Sequence, residues 1–390
     1  MSPPLRKKQK RGKEQELHLL SFPNELLSFI FSRLSPRDII NLSLVNKKHR
    51  KCLLPFVFRS VTMCWEEIEK FTKAFNLRAP TVDYSTPSYN LSTTRLVSLV
   101  TSLSIIEANN KLEWHLFNHL DLIITKLSNI NDLSIKISSA SFCLKYFAFK
   151  DSIKSLTLET DKINSLFNLE HLNQFSSIEN LTLKNFRFVN FKNGTNENED
   201  YEDATSDFEK AHHEKLFHLP CITNLSLINC SWDYPFNLNQ FVYKSPASLD
   251  HSLSSIILSY SEENSFLLSE RFKHYLSNPI ISPSLQSFTL DLKNNKDIVK
   301  YVNIETYLSI VKLRDLKSVS LLGIPFQDCD FFHSLFDGND SISSFRISFS
   351  GFCFRDKNQK LQLEGKIASH LQDLAGTRHL RWRVFRSPEC

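Results

Sequence analysis

The chain has 390 residues, 41% hydrophobic and 23% charged, with a formal net charge of +5. That length allows two to three domains or one long repeat array, and so even a charge balance does not by itself point to nucleic acid. Only seven residues are glycine, roughly a quarter of average usage; neither GxGxxG nor GxxxxGK(S/T) occurs, so enzymes built on glycine phosphate loops are disfavoured.

The first element is a basic tail, residues 1–16, in which Arg6, Lys7, Lys8, Lys10, Arg11 and Lys13 crowd together. Such a run repels itself and does not fold. It reads equally as a nuclear-import signal and as a solubilising terminus.

Residues 18–60 predict a small helical unit. Pro23 suits a first helical position and Glu25 the positive helix start. Leu26, Leu27, Ile30, Phe31 and Leu34 then recur at helical spacing. A second helix opens at Ser35-Pro36-Arg37-Asp38, with serine as cap, and carries Ile39, Leu42, Leu44 and Val45. Asn46 to Arg50 opens a third, ending near Pro55. About forty residues make a marginal core, and the apolar residues spread over more than one face of the first helix. A unit of this kind leaves a hydrophobic patch, which marks a partner surface.

The stretch FPNELLSFIFSRLSPRDIINLSLVNKKHRKCLLPFVFRSV resembles the F-box family. The matching positions are Pro23, Glu25, Leu26, Leu27, Ile30, Phe31, Leu34, Asp38, Ile39, Leu42, Val45, Asn46, Lys47 and Arg50, spaced without insertion. Phe22 stands where leucine is commoner, and His49 where an aromatic residue usually stands. The resemblance implies docking onto the Skp adaptor of SCF-type cullin ubiquitin ligases, through Phe22, Pro23, Leu26, Leu27, Ile30, Phe31, Leu34, Asp38, Ile39 and Val45. The helix-in-groove mode of recognition agrees with such a face. For Leu42 and Val45, packing within the chain is an equal alternative.

Residues 61–95 carry no clear pattern and read as a joint. From residue 96 to 390 one pattern returns: apolar, two others, apolar, one other, apolar. It reads Val100-Leu103-Ile105, Ile130-Leu133-Ile135, Ile153-Leu156-Leu158, Ile178-Leu181-Leu183 and Ile222-Leu225-Leu227. It goes on as Leu253-Ile256-Leu258, Leu285-Phe288-Leu290, Leu316-Val319-Leu321 and Ile342-Phe345-Ile347. The middle positions are 30, 23, 25, 44, 31, 32, 31 and 26 residues apart, the signature of a stacked solenoid. The pattern resembles leucine-rich repeats, which implies parallel strands with helical or loop returns. Leu116, Phe117, Leu120, Ile123, Ile124 and Leu127 predict one return helix, and Ile298 to Val311 a looser one. Only the repeat ending Ile228-Asn229-Cys230 keeps the family's Asn or Cys, so an irregular array is expected. The fold class is therefore α/β: a three-helix F-box followed by an irregular leucine-rich-repeat solenoid.

The one long gap contains NGTNENEDYEDATSDFEK, with seven acids. The insert, 193–212, is too polar to order itself; it reads as a tolerated loop or as an acidic docking or phosphorylation segment.

In each LxL strand the middle residue should face the concave side. That column is Ser104, Ser134, Thr157, Thr182, Ser226, Ile257, Thr289, Ser320 and Arg346. A phosphate reader needs clustered arginines, and this column holds one, which argues against a phosphopeptide on this face. At the chain end Leu380, Trp382 and Val384 alternate with Arg381 and Arg383, a terminal strand with one basic face. That face either grips an acidic or phosphorylated partner or blocks edge-to-edge aggregation. Candidate substrate contacts are thus Thr157, Thr182, Ser226, Thr289, Ser320, Arg346, Arg381, Trp382 and Arg383.

Eight cysteines without a CxxC pair or recognisable secretory signal read as reduced thiols, and an intracellular chain of nucleus or cytoplasm is expected. His212, His213, His218 and Cys221 lack zinc-like spacing, so no metal or cofactor is expected. No apolar run reaches the ~18 residues of a membrane span. Neither GxSxG nor HExxH occurs, and no catalytic residue is expected. The partners implied are the Skp adaptor, through it cullin and RING subunits, and a protein substrate, without membrane or nucleic acid. The alternative is a structural or regulatory Skp complex that does not ubiquitinate.

Overall fold

Three short helices form the first described unit, and the second and third of them start at side-chain caps. The computed structural model describes residues 19, 22–74, 96–107, 116–138, 151–172, 174–188, 222–232, 253–260, 285–293, 316–324, 340–349, 357–378 and 380–385. Helix α1 spans Asn24–Phe31 behind Pro23. Helix α2, Pro36–Leu44, has Ser35 as cap, its hydroxyl accepting from the Asp38 amide at 3.2 Å. Helix α3, Lys47–Val57, starts at Asn46, whose side chain accepts from the His49 amide at 2.9 Å. It runs two residues past Pro55, where only one intrahelical bond is forfeited. Leu27, Phe31, Ile39 and Leu53 form this unit's own core, with Phe56 against the edge of the Phe31 ring at 4.9 Å.

The sheet begins earlier than the repeat pattern suggests. Strand β1, Ser60–Cys64, pairs in parallel with β2, Ser102–Ile106. Met63, Trp65 and Ile68 sink into the solenoid core, carried by β1, a short 3-10 turn and α4, Ile68–Ala74. The stretch expected to be a joint therefore supplies the solenoid's first strand and cap. Its physical reason is that Val61 and Met63 alternate onto one face, and Trp65 closes the open end of the core.

The nine repeat patterns all form strands. After β2 come helix α5, Leu116–Lys126, then β3 (Asp132–Lys136), β4 (Ser155–Glu159), β5 (Ser165–Phe167), β6 (Asn180–Lys184) and β7 (Phe186–Phe188). They are followed by β8 (Asn224–Ile228), β9 (Ser231–Trp232), β10 (Ser255–Ser259), β11 (Ser287–Asp291), β12 (Ser318–Ile324) and β13 (Ser344–Phe349). Helix α6, Lys357–Arg378, and β14, Arg381–Phe385, close the described chain. The main sheet runs β1-β2-β3-β4-β6-β8-β10-β11-β12-β13-β14, every pair parallel, and a second parallel sheet joins β5, β7 and β9. This is an α/β leucine-rich-repeat-like solenoid behind an N-terminal helical unit.

All three apolar residues of each repeat pattern are buried in one continuous core. Each strand alone buries too little; stacking its neighbours completes the core. From α5, Leu120, Ile123 and Ile124 enter it, followed by Leu127 just beyond the helix. Phe167, Phe186 and Phe188 fill the ground between the two sheets, with rings 4.9 and 6.3 Å apart. The looser return helix around residues 298–311 lies outside the described residues.

The scarcity of glycine has a structural counterpart. Asn164, Asn185 and Asn229 adopt positive φ, of 62°, 70° and 51°, which asparagine tolerates better than other residues with a Cβ. Asn185 Nδ2 donates to the Thr160 carbonyl at 2.5 Å, and Asn229 Nδ2 to Asn185 Oδ1 at 3.1 Å. The turns are thereby stitched from one repeat to the next. Gly323, at φ +71°, sits where a Cβ would lie 2.5 Å from the Lys293 nitrogen; no side chain fits there.

Candidate functional site

Two surfaces stand out, and the first lies on the helical unit. Leu26, Phe29, Ile40, Leu44 and Val45 are exposed, five of the eight exposed large hydrophobic residues among those described. Leu26 and Phe29 are three residues apart on α1, and Ile40 and Leu44 four apart on α2, so each pair shares a helix face. Arg33 stacks its guanidinium over the Phe29 ring at 5.3 Å. An apolar concentration of this kind on one small unit marks a protein partner.

The structure divides the expected docking residues between two roles. Pro23, Leu26 and Val45 face outward, and so does Asp38, whose carboxylate accepts from the Ser35 hydroxyl at 2.6 Å. Leu27, Phe31 and Ile39 are internal, which corrects their assignment to the docking face. They hold α1 to α2 and α3, and buried side chains cannot meet a partner without unfolding the unit. Phe22, Ile30, Leu34 and Leu42 are half-buried at the rim of that core. Phe29, Ile40 and Leu44 are exposed as well, though they were not among the expected docking residues. The signal that could have found them is the i,i+3 and i,i+4 relation to Leu26 and within α2.

The second surface is the open face of the main sheet. Parallel pairing in register lines up Thr62, Ser104, Ser134, Thr157, Thr182, Ser226, Ile257, Thr289, Ser320, Arg346 and Arg383 as one row. The expected column is therefore real, and it has an additional member at each end. Its hydroxyls are mostly half-buried, and Arg346 and Arg383 are exposed. A second row, at the strand ends, carries charge: Glu159 Oε1 sits 2.5 Å from Lys184 Nζ and 3.2 Å from Lys136 Nζ. Burial pushes the Glu159 carboxyl up, but the bonds and charges of Lys184 and Lys136 outweigh it and hold the group below its ordinary value.

At the far end β14 presents Arg381 and Arg383 on this open face, with Trp382 and Val384 turned to the core. Trp382, expected among the substrate contacts, packs against the core while remaining half-buried. Arg383 stands opposite Arg346 and Arg381 opposite Ser344, so the face holds three arginines at one end rather than one. Helix α6 backs this end through Leu363, Ile367 and Leu371.

The basic tail residues Arg6, Lys7, Lys8, Lys10, Arg11 and Lys13 lie outside the described residues. So do the acidic insert and the group His212, His213, His218 and Cys221. Cys230 is buried, donates toward the Leu183 carbonyl at 3.2 Å, and burial pushes its thiol up to about 12. It is a packing residue and no nucleophile. Among the described residues no helix is long and apolar enough to cross a membrane.

Comparison with known proteins gives one family match: residues 19–63 match the F-box-like family. The match covers α1, α2, α3 and most of β1. No curated protein matches the chain. Among solved structures the chain is similar to a protein from Bacteroides fragilis, at 10% identity over 84% of this chain and 74% of that one, with a TM-score of 0.37. It is also similar to a chain of the TLR13–ssRNA13 complex, at 15% identity over 66% of this chain and 40% of that one, with a TM-score of 0.21. Both scores are low.

Proposed function

We propose that this chain is a substrate-recognition adaptor of an SCF-type ubiquitin ligase. The helical unit docks onto the Skp adaptor and, through it, onto cullin and RING subunits. The open face of the solenoid holds a protein substrate. The observation that carries this reading is the exposed apolar set Leu26, Phe29, Ile40, Leu44 and Val45 within a segment that matches the F-box-like family. The chain supplies no reacting group of its own; it raises the effective concentration of substrate at the ligase, and tethering alone can gain orders of magnitude. Nucleus and cytoplasm are both compatible compartments for that role.

The full chain, purified with and without a Leu26→Asp/Leu44→Asp pair, should be titrated with the Skp adaptor by calorimetry. The unaltered chain binds, and the charged pair removes binding while the solenoid keeps its melting transition. Binding that survives the pair, or an unaltered chain that fails to bind, overturns the docking assignment. Adaptor binding without cullin recruitment would instead establish the structural, non-ubiquitinating complex.

A further inference from the structure

We propose that the apolar docking face of the helical unit carries a cationic rim: Arg33, Arg37, Lys47, Lys48 and Lys51. The rim selects a partner protein whose receiving groove is bordered by carboxylates. This rests on the reading of the helical unit as the part that docks, and it adds the charge chemistry of the surface that receives it.

Residues 19–63 hold seven arginines and lysines against two acids, Glu25 and Asp38, a formal charge of +5 that equals the net charge of the whole chain. All seven cations are exposed, and among the described residues none of them forms an ion pair. Past residue 64, by contrast, Lys73, Lys136, Lys154, Lys184 and Lys360 each pair with a glutamate. The placement also works against the helix that carries it. Lys47 and Lys48 stand in the first turn of α3, where the helix dipole disfavours cations and no acidic residue offsets them. Lys51 is four residues from Lys47 and three from Lys48, spacings at which like charges repel. All three lie about 120–160° around the helix from Leu53, its buried residue, so they face away from the unit's core. A cation cluster that weakens its own helix is accounted for by a partner of opposite charge.

The cations adjoin the apolar face. On α1, Leu26, Phe29 and Arg33 follow one another at spacings of three and four residues, and Arg33 covers the Phe29 ring at 5.3 Å. On α2, Arg37, Ile40 and Leu44 do the same. Val45, 64% exposed, stands two residues before Lys47. An apolar centre inside a charged rim is the anatomy of a protein–protein interface. Nucleic acid offers phosphates but no apolar groove, so the exposed hydrophobic residues would stay in water. A groove bordered by carboxylates satisfies both parts. Rim charges act chiefly on the encounter, steering association and rejecting wrong partners, and contribute less to holding the complex once formed.

Association of the full chain with the Skp adaptor should be followed by stopped flow at about 0.01 M and about 0.15 M salt, between which the screening length falls from about 30 to about 8 Å. The association rate constant of the unaltered chain falls at least about tenfold across that range. Lys47→Glu/Lys48→Glu/Lys51→Glu lowers it at least about tenfold at the lower salt and flattens its salt dependence, while dissociation changes less than about threefold. Lys47→Arg/Lys48→Arg/Lys51→Arg keeps the rate of the unaltered chain. Lys126→Glu/Lys162→Glu/Lys366→Glu alters three exposed lysines of the solenoid; it changes the net charge equally and lowers the rate less than about twofold. The α3 charge reversal puts carboxylates in a first helical turn, where the dipole favours them, and an unchanged melting transition verifies its fold. A charge-reversed rim that associates as fast as the unaltered chain overturns the proposal, as does an equal loss in the solenoid variant. A DNA duplex retained by the unaltered chain and lost by the α3 variant, with equal adaptor rates, assigns the lysines to nucleic acid and overturns it too. An unaltered chain that binds no adaptor at either salt removes the docking reading and the rim with it. Binding at a salt-independent rate removes the rim alone.

Discussion

Replacing Phe31 by alanine and Leu26 by aspartate tests the division of α1 into a core face and a docking face. Phe31 is 1% exposed and sits edge-on to Phe56 at 4.9 Å. Deleting a buried phenylalanine side chain costs about 3–5 kcal/mol. A unit of some forty residues has only about 2–6 kcal/mol in hand at ordinary stability per residue, so Phe31→Ala unfolds it locally. Leu26 is 50% exposed, and a polar substitution there changes folding by about 0.5 kcal/mol or less. In a complex the same change loses about 1 kcal/mol of apolar burial and leaves a carboxylate desolvated at a further cost of several kcal/mol. Together these exceed about 100-fold in affinity. Amide hydrogen exchange on α1 to α3, measured beside Skp-adaptor affinity, separates the two effects. Phe31→Ala loses protection and binding together, and Leu26→Asp loses binding alone. Loss of protection in Leu26→Asp, or retained protection in Phe31→Ala, refutes the division.

Gly323→Ala places a Cβ within 2.5–2.6 Å of the Lys293 and Leu292 backbone; with the strained φ it should destabilise by about 1–3 kcal/mol or more, read from denaturant midpoints. Gly365→Ala and Gly376→Ala, both in α6 with nothing within 4 Å of the new Cβ, should instead stabilise by about 0.4–1 kcal/mol each. Because the Glu159 carboxyl is held below its ordinary value, its contribution is present above the unfolded value of about 4.3 and fades as pH falls through the folded one. Glu159→Gln should therefore lower the melting temperature at neutral pH and converge with the unaltered chain at acidic pH; a constant difference across that range contradicts the ion-pair account. Cys52, exposed on α3, should alkylate in the native chain at pH 8, whereas Cys230, pushed up to about 12, should react only after unfolding, as peptide mass spectrometry would show.

The strands were legible because a buried strand in a stacked array must repeat its apolar triplet, and Ile130-Leu133-Ile135 through Ile342-Phe345-Ile347 do so. Strand β1 keeps the same triplet, Phe58-Val61-Met63, in register with Val100-Leu103-Ile105; it went unread because it straddles the end of the helical unit and the stretch expected to be a joint. Helix α6 was missed because its buried apolar stripe is one residue wide, Leu363-Ile367-Leu371, and the helix contains two glycines, Gly365 and Gly376. On α1 the spacing shows which residues share a face, but where both faces are apolar, only packing against Phe56 and Leu53 decides which is inside. The arginine group needed topology most of all. Arg346 and Arg383 are separated by a 22-residue helix, and nothing in either local sequence indicates that their strands are neighbours.

The central claim is that one chain joins a substrate surface to a cullin ligase. Its most direct test is size-exclusion chromatography of the full chain mixed with Skp adaptor, cullin and RING subunit. The account predicts a single equimolar complex containing all four, lost when Leu26 and Leu44 carry charge. Elution of the chain with the Skp adaptor but apart from cullin, or apart from both, would contradict it.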